Sequence, residues 1–344
     1  MSAYDVAVIG AGPAGSTCAA LCAAGGMRVL LIERANFPRE KVCGDCLNPA
    51  CWPVLDRLGV RAAVLALPHA RLAEVEFIGL GGRSVRLPLA DEIAIKRSAF
   101  DQVLLDRARA LGAEVREGVA LTALESGWTL HAGDARFSAQ RIVAADGRNS
   151  TVARLLGLLP RAAKDRVGVQ THLPAPRDFG ERVVMQFHEH GYSGLASVGD
   201  GQLNLCLVAR PPRLDAMKTW ARATFAIDPE WRTITPLARA PVAPVQGDLL
   251  LVGDAARVVE PFTGEGIAYA LATGELAARH LLADDPAGYA AAHRALYRGR
   301  LWINHLARLA CLHPRLATLL LRQPRALTWL TTKVTRAPRA SAER

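Results

Sequence analysis

The chain opens on a short, continuous apolar run. Residues 5–9, Asp-Val-Ala-Val-Ile, end at glycine, the pattern of a strand buried on both faces. Pro13 to Ala24 is rich in alanine and leucine with proline at its start, which predicts a helix that Gly25-Gly26 stops. Arg28 to Ile32 is a second apolar strand, closing a βαβ unit within about 30 residues. The loop from Arg34 to Pro53 is dense in Cys, Pro and Gly, and loops of that length inside a compact domain are commonly functional. Glu74 to Leu89 predicts one or two strands around Gly79–Gly82. Ser98 to Ala110 predicts a helix with Ser98 as N-cap and Asp101 in the capping-box position. Short strand-like runs fill 114–145, and 167–209 is strand-rich, most clearly at Val183–Phe187 and Leu203–Leu207. A last buried strand, Asp248–Val252, precedes a helix over Ile267–Leu282. From His293 to Val334 basic and apolar residues alternate at helical spacing, and Pro314 and Pro324 divide the segment into short helices.

One hexapeptide in this pattern carries chemistry. Gly10-Ala11-Gly12-Pro13-Ala14-Gly15 is a G-x-G-x-x-G that follows a strand and opens a helix, and acidic Glu33 answers it at the end of the second strand, with Arg34 beside it. That context is the dinucleotide fingerprint. Gly10 permits the tight turn, Gly12 lets a pyrophosphate approach the backbone, and Gly15 lets helix and strand pack closely. The pyrophosphate sits on unpaired N–H groups at the positive helix end, and Glu33 accepts from a ribose diol.

Two later segments decide which dinucleotide. Ala145-Asp146-Gly147-Arg148, leading to Ser150 and Arg154, resembles the Asp-Gly segment of flavoprotein hydroxylases. Val252-Gly253-Asp254-Ala255, followed by Glu260-Pro261-Phe262-Thr263-Gly264-Glu265-Gly266-Ile267, resembles their Gly-Asp segment. Asp254 at a strand end suits ribityl hydroxyls, and the N–H groups of Gly264 and Gly266 at a helix start suit negative charge on a reduced isoalloxazine. The resemblance to the superfamily of aromatic hydroxylases and geranylgeranyl reductases spans about the first 285 residues. It implies FAD as cofactor, with Pro261 and Gly264–Ile267 near the pyrimidine edge. It also implies phosphate or ribityl contact by Arg97, from Arg97-Ser98-Ala99-Phe100-Asp101, and adenine contact by the backbone at Val119.

The loop Pro38-Arg39-Glu40-Lys41-Val42-Cys43-Gly44 is similar to the geranylgeranyl reductase branch, and Gly44-Asp45-Cys46-Leu47-Asn48-Pro49 to the halogenases. Gly191-Tyr192-Ser193-Gly194 lacks the tryptophan of the reductases' strand, and no W-x-W of the halogenases is present. Cys43 is the candidate catalytic residue. A Cys43–Cys46 redox dithiol or a zinc site with Cys51 fits less well than a pocket position for Cys43 and buried positions for Cys46 and Cys51. His188-Glu189-His190 reads as a polar turn, and no metal site is expected.

Composition adds location and partners. Of 344 residues 51% are hydrophobic, and no run of about 18 apolar residues predicts a membrane span. Seven cysteines, an odd number, fit a reduced cytoplasmic setting. The net charge is +10, but residues 286–344 hold eleven Lys or Arg and one acid, Glu343, leaving 31 basic against 31 acidic residues before them. The charge therefore belongs to the tail, as a solvated cap or as a peripheral dock for an anionic membrane or an acidic carrier protein, not to a nucleic-acid site. The expected architecture is α/β. A Rossmann-type FAD-binding domain from 1–70, 96–160 and 246–285 interleaves with a mainly antiparallel substrate domain from 71–95 and 161–245, and 286–344 forms a basic helical segment. The expected activity is an FAD-dependent oxidoreductase fed by NAD(P)H or another external donor and acting on a hydrophobic or carrier-bound molecule. The balance tilts to hydroxylation through a flavin C4a-hydroperoxide, with carbon–carbon double-bond reduction as the alternative and a catalytically silent FAD-binding partner as a third.

Overall fold

The computed structural model describes residues 4–161 and 166–335. The tail's Arg336, Arg339, Glu343 and Arg344 lie outside them. Two sheets organise the chain. In the first, strands Leu249–Leu251, Ala135–Ala144, Tyr4–Ile9, Val29–Ile32 and Glu114–Arg116 run parallel in that spatial order, with Val245–Gln246 antiparallel at one edge. The apolar run at 5–9 is continuous because both faces are covered. Val6 and Val8 face helices Pro13–Ala24, Arg97–Ala110 and Gly266–Leu282, while Ala7 and Ile9 face the opposite layer built on strands Leu121–Glu125 and Thr129–Ala132.

The second sheet has the order 232–234, 167–174, 202–209, 191–199, 182–188, 70–78, 84–94, 46–47. Every neighbouring pair is antiparallel except 182–188 with 70–78, which is parallel. Alternation settles its two faces. Val184, Leu203, Leu205 and Leu207 pack with Met217 and Ala221 of helix Leu214–Phe225. Val183, Met185, Phe187, Cys206 and Val208 point the other way, into a cavity. The two-residue strand Cys46–Leu47, inside the stretch assigned to the nucleotide unit, joins this sheet at its edge.

Pro286–Leu296, Leu301–Leu312, Pro314–Leu320 and Pro324–Thr335 are the C-terminal helices, the last three separated at Pro314 and Pro324 as their sequence predicts. No helix among the described residues is long and apolar enough to cross a membrane.

The capping reading at Ser98 needs correction. The helix begins at Arg97, and no side chain caps it. Ser98 Oγ instead reaches Glu40 Oε1 at 3.3 Å, and Asp101 is fully buried against Arg97, with both bonds at 2.8 Å. A bidentate ion pair to a guanidinium is a stronger claim on a buried carboxylate than a backbone cap.

The first and last helices of the parallel layer meet backbone to backbone. A Cβ on Gly274 would lie 2.2 Å from the carbonyl oxygen of Ala14. Gly274→Ala is therefore expected to destabilise the protein by about 1–3 kcal/mol, the usual cost of overpacking, and to loosen FAD with it. Denaturant unfolding with an unchanged slope checks the first part, and flavin release the second.

Candidate active site

The glycine loop is shaped by its neighbours. Gly10 has φ +105, and a Cβ there would stand 2.6 Å from the Ala145 carbonyl oxygen. The loop therefore lies hard against the Asp146 segment. Glu33 is buried and pins the loop. One carboxylate oxygen accepts from Ala11 N at 2.8 Å and the other from Ala35 N at 3.0 Å. Its remaining lone pairs face the cavity that the glycine loop borders.

That cavity has a volume of about 1270 Å³. It gathers Gly10, Gly12, Pro13, Ala14, Glu33, Arg34, Cys43, Arg97, Val119, Asp146, Gly253, Asp254, Pro261, Gly264, Gly266 and Ile267 from far-apart stretches of the chain. Two sequence candidates are not on its wall. Gly15 is spent on packing, since a Cβ there would sit 1.8 Å from Gly10 O. The Glu265 side chain turns away to Arg300 and Asn304, both at 3.2 Å, because these residues at the start of helix Leu301–Leu312 offer donors to a buried carboxylate. The N–H of Gly264 bonds Pro261 O at 3.2 Å, which leaves Gly266, first residue of its helix, as the donor at that edge.

Further cations complete the groove. Arg39 holds its guanidinium 3.7 Å from where a Gly12 Cβ would be, 3.1 Å from Asp101 and 3.8 Å from Glu33. Arg148 pairs with Asp254 at 2.9 Å, and Arg239 Nη2 donates to the Ala255 carbonyl, fixing the chain there. Lys41 lies on the cavity wall with its ammonium lowered to about 8, chiefly by burial and then by Arg39, Arg97 and Arg148, with Asp254 opposing. A groove this rich in cations suits an anionic ligand. A glycine cradle beneath them, an acid at the ribose position and open space before Gly264 and Gly266 fit a dinucleotide of the FAD type. Arg39 and Lys41 lie in the loop similar to the reductase branch and Arg148 in the Asp-Gly segment, but the sequence assigned a contact to none of them, nor to Arg239.

The Cys43 loop is anchored to the second sheet. Asn204 Nδ2 and Cys206 Sγ donate to Cys43 O at 2.9 and 3.1 Å, and Gln170 Oε1 accepts from Cys43 N at 3.3 Å. Asp45, fully buried, bonds His172 at 2.8 Å and Gln170 at 3.2 Å. Burial raises the thiols of Cys43 and Cys46, opposite to the activated thiolate a redox dithiol needs. Cys51 is buried as expected, whereas Cys46 is half-buried and lines the cavity. His188 is spent on Ser193 at 2.9 Å and on the Trp220 ring at 4.3 Å, and burial lowers it to about 4.

Beyond the cofactor groove the cavity runs between the second sheet and the C-terminal helices. Phe262 joins the two parts, with Tyr192, Phe187 and Phe77 around it at 5.1, 5.4 and 6.1 Å. Glu92 is set in this apolar wall with Leu89 and Cys46, and burial raises its carboxyl to about 7. A lone Glu in a strand pattern gives no signal in sequence, because only folding removes its water.

Two outcomes follow. Replacing Asp254 by Ala frees Arg148 and is expected to weaken FAD retention about ten-fold or more, read as flavin lost on gel filtration. For Glu92, the folded value lies above the unfolded one, so its contribution to stability is full below about pH 4.5 and is lost as pH rises through about 7. Glu92→Gln should therefore match the parent at pH 4 and exceed it above pH 8 by on the order of 3 kcal/mol. Parallel unfolding curves at all pH values would contradict this.

A family described as the FAD binding domain matches residues 3–199. Menaquinone reductase of Mycolicibacterium smegmatis is 31% identical, over 94% of this chain and 86% of its own length. Digeranylgeranylglycerophospholipid reductase 1 of Methanopyrus kandleri is 29% identical over 80% of this chain and 79% of its own. Among solved structures, a triple mutant of a flavin-dependent brominase superposes with a TM-score of 0.81, covering 98% of this chain and 96% of that one. At 20% identity it speaks for the fold alone. The glycine cradle, the cationic groove and the matched family agree, and the chain belongs to the FAD binding domain family as an FAD-dependent oxidoreductase.

Proposed function

We propose that this enzyme reduces a carbon–carbon double bond in a lipophilic, isoprenoid-bearing molecule, with electrons from NAD(P)H or another external donor. The observation that carries the reading is the size and continuity of the cavity. At about 1270 Å³ it exceeds the roughly 300–1,000 Å³ of a one-ligand pocket, so it has room for the cofactor and a long apolar chain together. Its far part is walled by the second sheet and by Ile303, Ala310, Ala317, Leu321, Leu327 and Leu330 of the tail helices. Hydroxylation, to which the sequence tilts, is served by the same cofactor groove. The apolar extension and the reductase names of the two relatives favour the reduction instead.

Bound FAD, once reduced by the external donor, would supply a hydride. The chain's own residues do the rest. The Gly10–Gly15 loop, Arg39 and Arg97 would hold the anionic part of the cofactor, and Asp254 with Arg148 would orient its polyol. Phe262, Phe187 and Tyr192 hold the substrate's apolar part and keep water out, so that reducing equivalents are not lost to solvent. Glu92, neutral below about pH 7, holds the proton that the second carbon of a reduced double bond must receive.

Anaerobic enzyme, reduced beforehand and mixed with menaquinone in detergent, is expected to yield a product that, after the quinol is reoxidised, is still a quinone heavier by two hydrogens. Product heavier by one oxygen atom, formed only in air, would return the assignment to hydroxylation. Glu92→Gln is expected to slow the anaerobic turnover on the order of 100-fold with FAD content unchanged and with the pH dependence near 7 removed.

A further inference from the structure

We infer that the outer face of the three last helices is a docking surface for an anionic lipid bilayer, and that the cavity opens to that bilayer between Leu306 and Leu320. Single exposed leucines are ordinary on a protein surface, but clustering is not. Of the ten large hydrophobic side chains exposed among the described residues, seven lie between Trp302 and Trp329. Helix Leu301–Leu312 presents Trp302, Leu306 and Leu309 at spacings of four and three, one stripe of its surface. Leu316, Leu319 and Leu320 continue it on the next helix.

Charge selects the partner. Residues 286–335 hold eight Lys or Arg and no acid, and Arg315, Arg322 and Arg325 are exposed beside the leucines. Trp302 and Trp329 lie 5.7 Å apart, and the Lys333 ammonium stands 5.4 and 4.6 Å from their ring centres. Exposed tryptophan, leucine and arginine on short amphipathic helices match the boundary between acyl chains and anionic headgroups. A protein partner that is acidic would pair with the arginines and leave seven apolar side chains uncovered, so the bilayer is the better fit.

The same helices make the inner wall of the cavity. Leu306 and Leu320 are at once exposed and cavity-lining, so they stand at its mouth. A lipid chain passing between them reaches the flavin end without crossing water. That delivery route rests on the lipophilic substrate proposed above, whereas the docking surface does not.

The test uses the FAD-loaded full chain in flotation with phosphatidylglycerol or phosphatidylcholine vesicles, without substrate. The parent is expected to float with the first and not the second. Charge alone would also draw a basic protein to such vesicles, so the deciding variant is neutral. Leu316→Ser with Leu319→Ser should cut binding about ten-fold or more at constant charge, with the flavin spectrum unchanged. Arg315→Glu with Arg322→Glu should reduce it further in a salt-sensitive way, each basic residue being worth about five-fold. Brominated acyl chains should quench tryptophan emission in the parent, and less in Trp302→Phe with Trp329→Phe. Parental binding by the leucine variant, absence of quenching, or capture by an acyl carrier protein in place of vesicles would each overturn the docking surface. Turnover of detergent-dispersed menaquinone by the same variants reports separately on the reaction.

Discussion

Backbone touching backbone around the first helix governs how the rest of this molecule is placed. Gly15 meets the Gly10 carbonyl, Gly10 meets the chain at Ala145, and Gly274 meets the Ala14 carbonyl. A side chain at any of these positions would separate the glycine loop, the Asp146 segment and the helix that follows the flavin loop. Because those three pieces come from residues near 10, 146 and 266, one small volume of close contact sets the groove in which the cofactor is held. Gly253, which bonds Thr273 at 2.9 Å, adds a fourth tie to the same knot.

Around that knot the protein holds more buried charge than a purely structural core would tolerate. Arg39, Lys41, Arg97 and Arg148 converge on Glu33, Asp101 and Asp254, and the depressed Lys41 records the strain of cations brought together out of water. Desolvating ions costs several kcal/mol each unless partners meet them. The arrangement suits a diphosphate, whose charge the groove would accept.

A second polar network joins the tail to the flavin loop. Arg166 pairs with buried Glu260 at 2.7 Å, Asn304 accepts from Glu260 N at 2.7 Å, and Asn304 and Arg300 both reach Glu265. The loop that presents Phe262 and Gly266 is thus gripped from outside by helix Leu301–Leu312. The tail helices are consequently part of the active-site wall, with apolar residues inward and another apolar, basic set outward.

Much was legible in sequence because it is local. The strand at 5–9, the first helix and the glycine loop follow from short-range pattern, and a turn that needs Gly10 at φ +105 leaves a mark in any sequence. The helix breaks at Pro314 and Pro324 are equally local, since proline acts on its own backbone. The site residues drawn from motifs sit on one cavity wall, apart from Gly15 and the Glu265 side chain. Other features were not legible, for they depend on what burial does to ordinary residues. Ser98 yields its cap because Asp101 finds Arg97. Arg39 comes to stand beside the glycine loop only when its own loop folds over Gly12. Glu92 becomes a near-neutral acid only when strands 70–78 and 84–94 place it in an apolar wall. Sequence determined the cofactor, because a pyrophosphate needs a backbone geometry that glycines encode along a few residues. Tertiary structure decided the shape and length of the substrate cavity, because its walls come from segments far apart in the chain, and desolvation exists only once they meet.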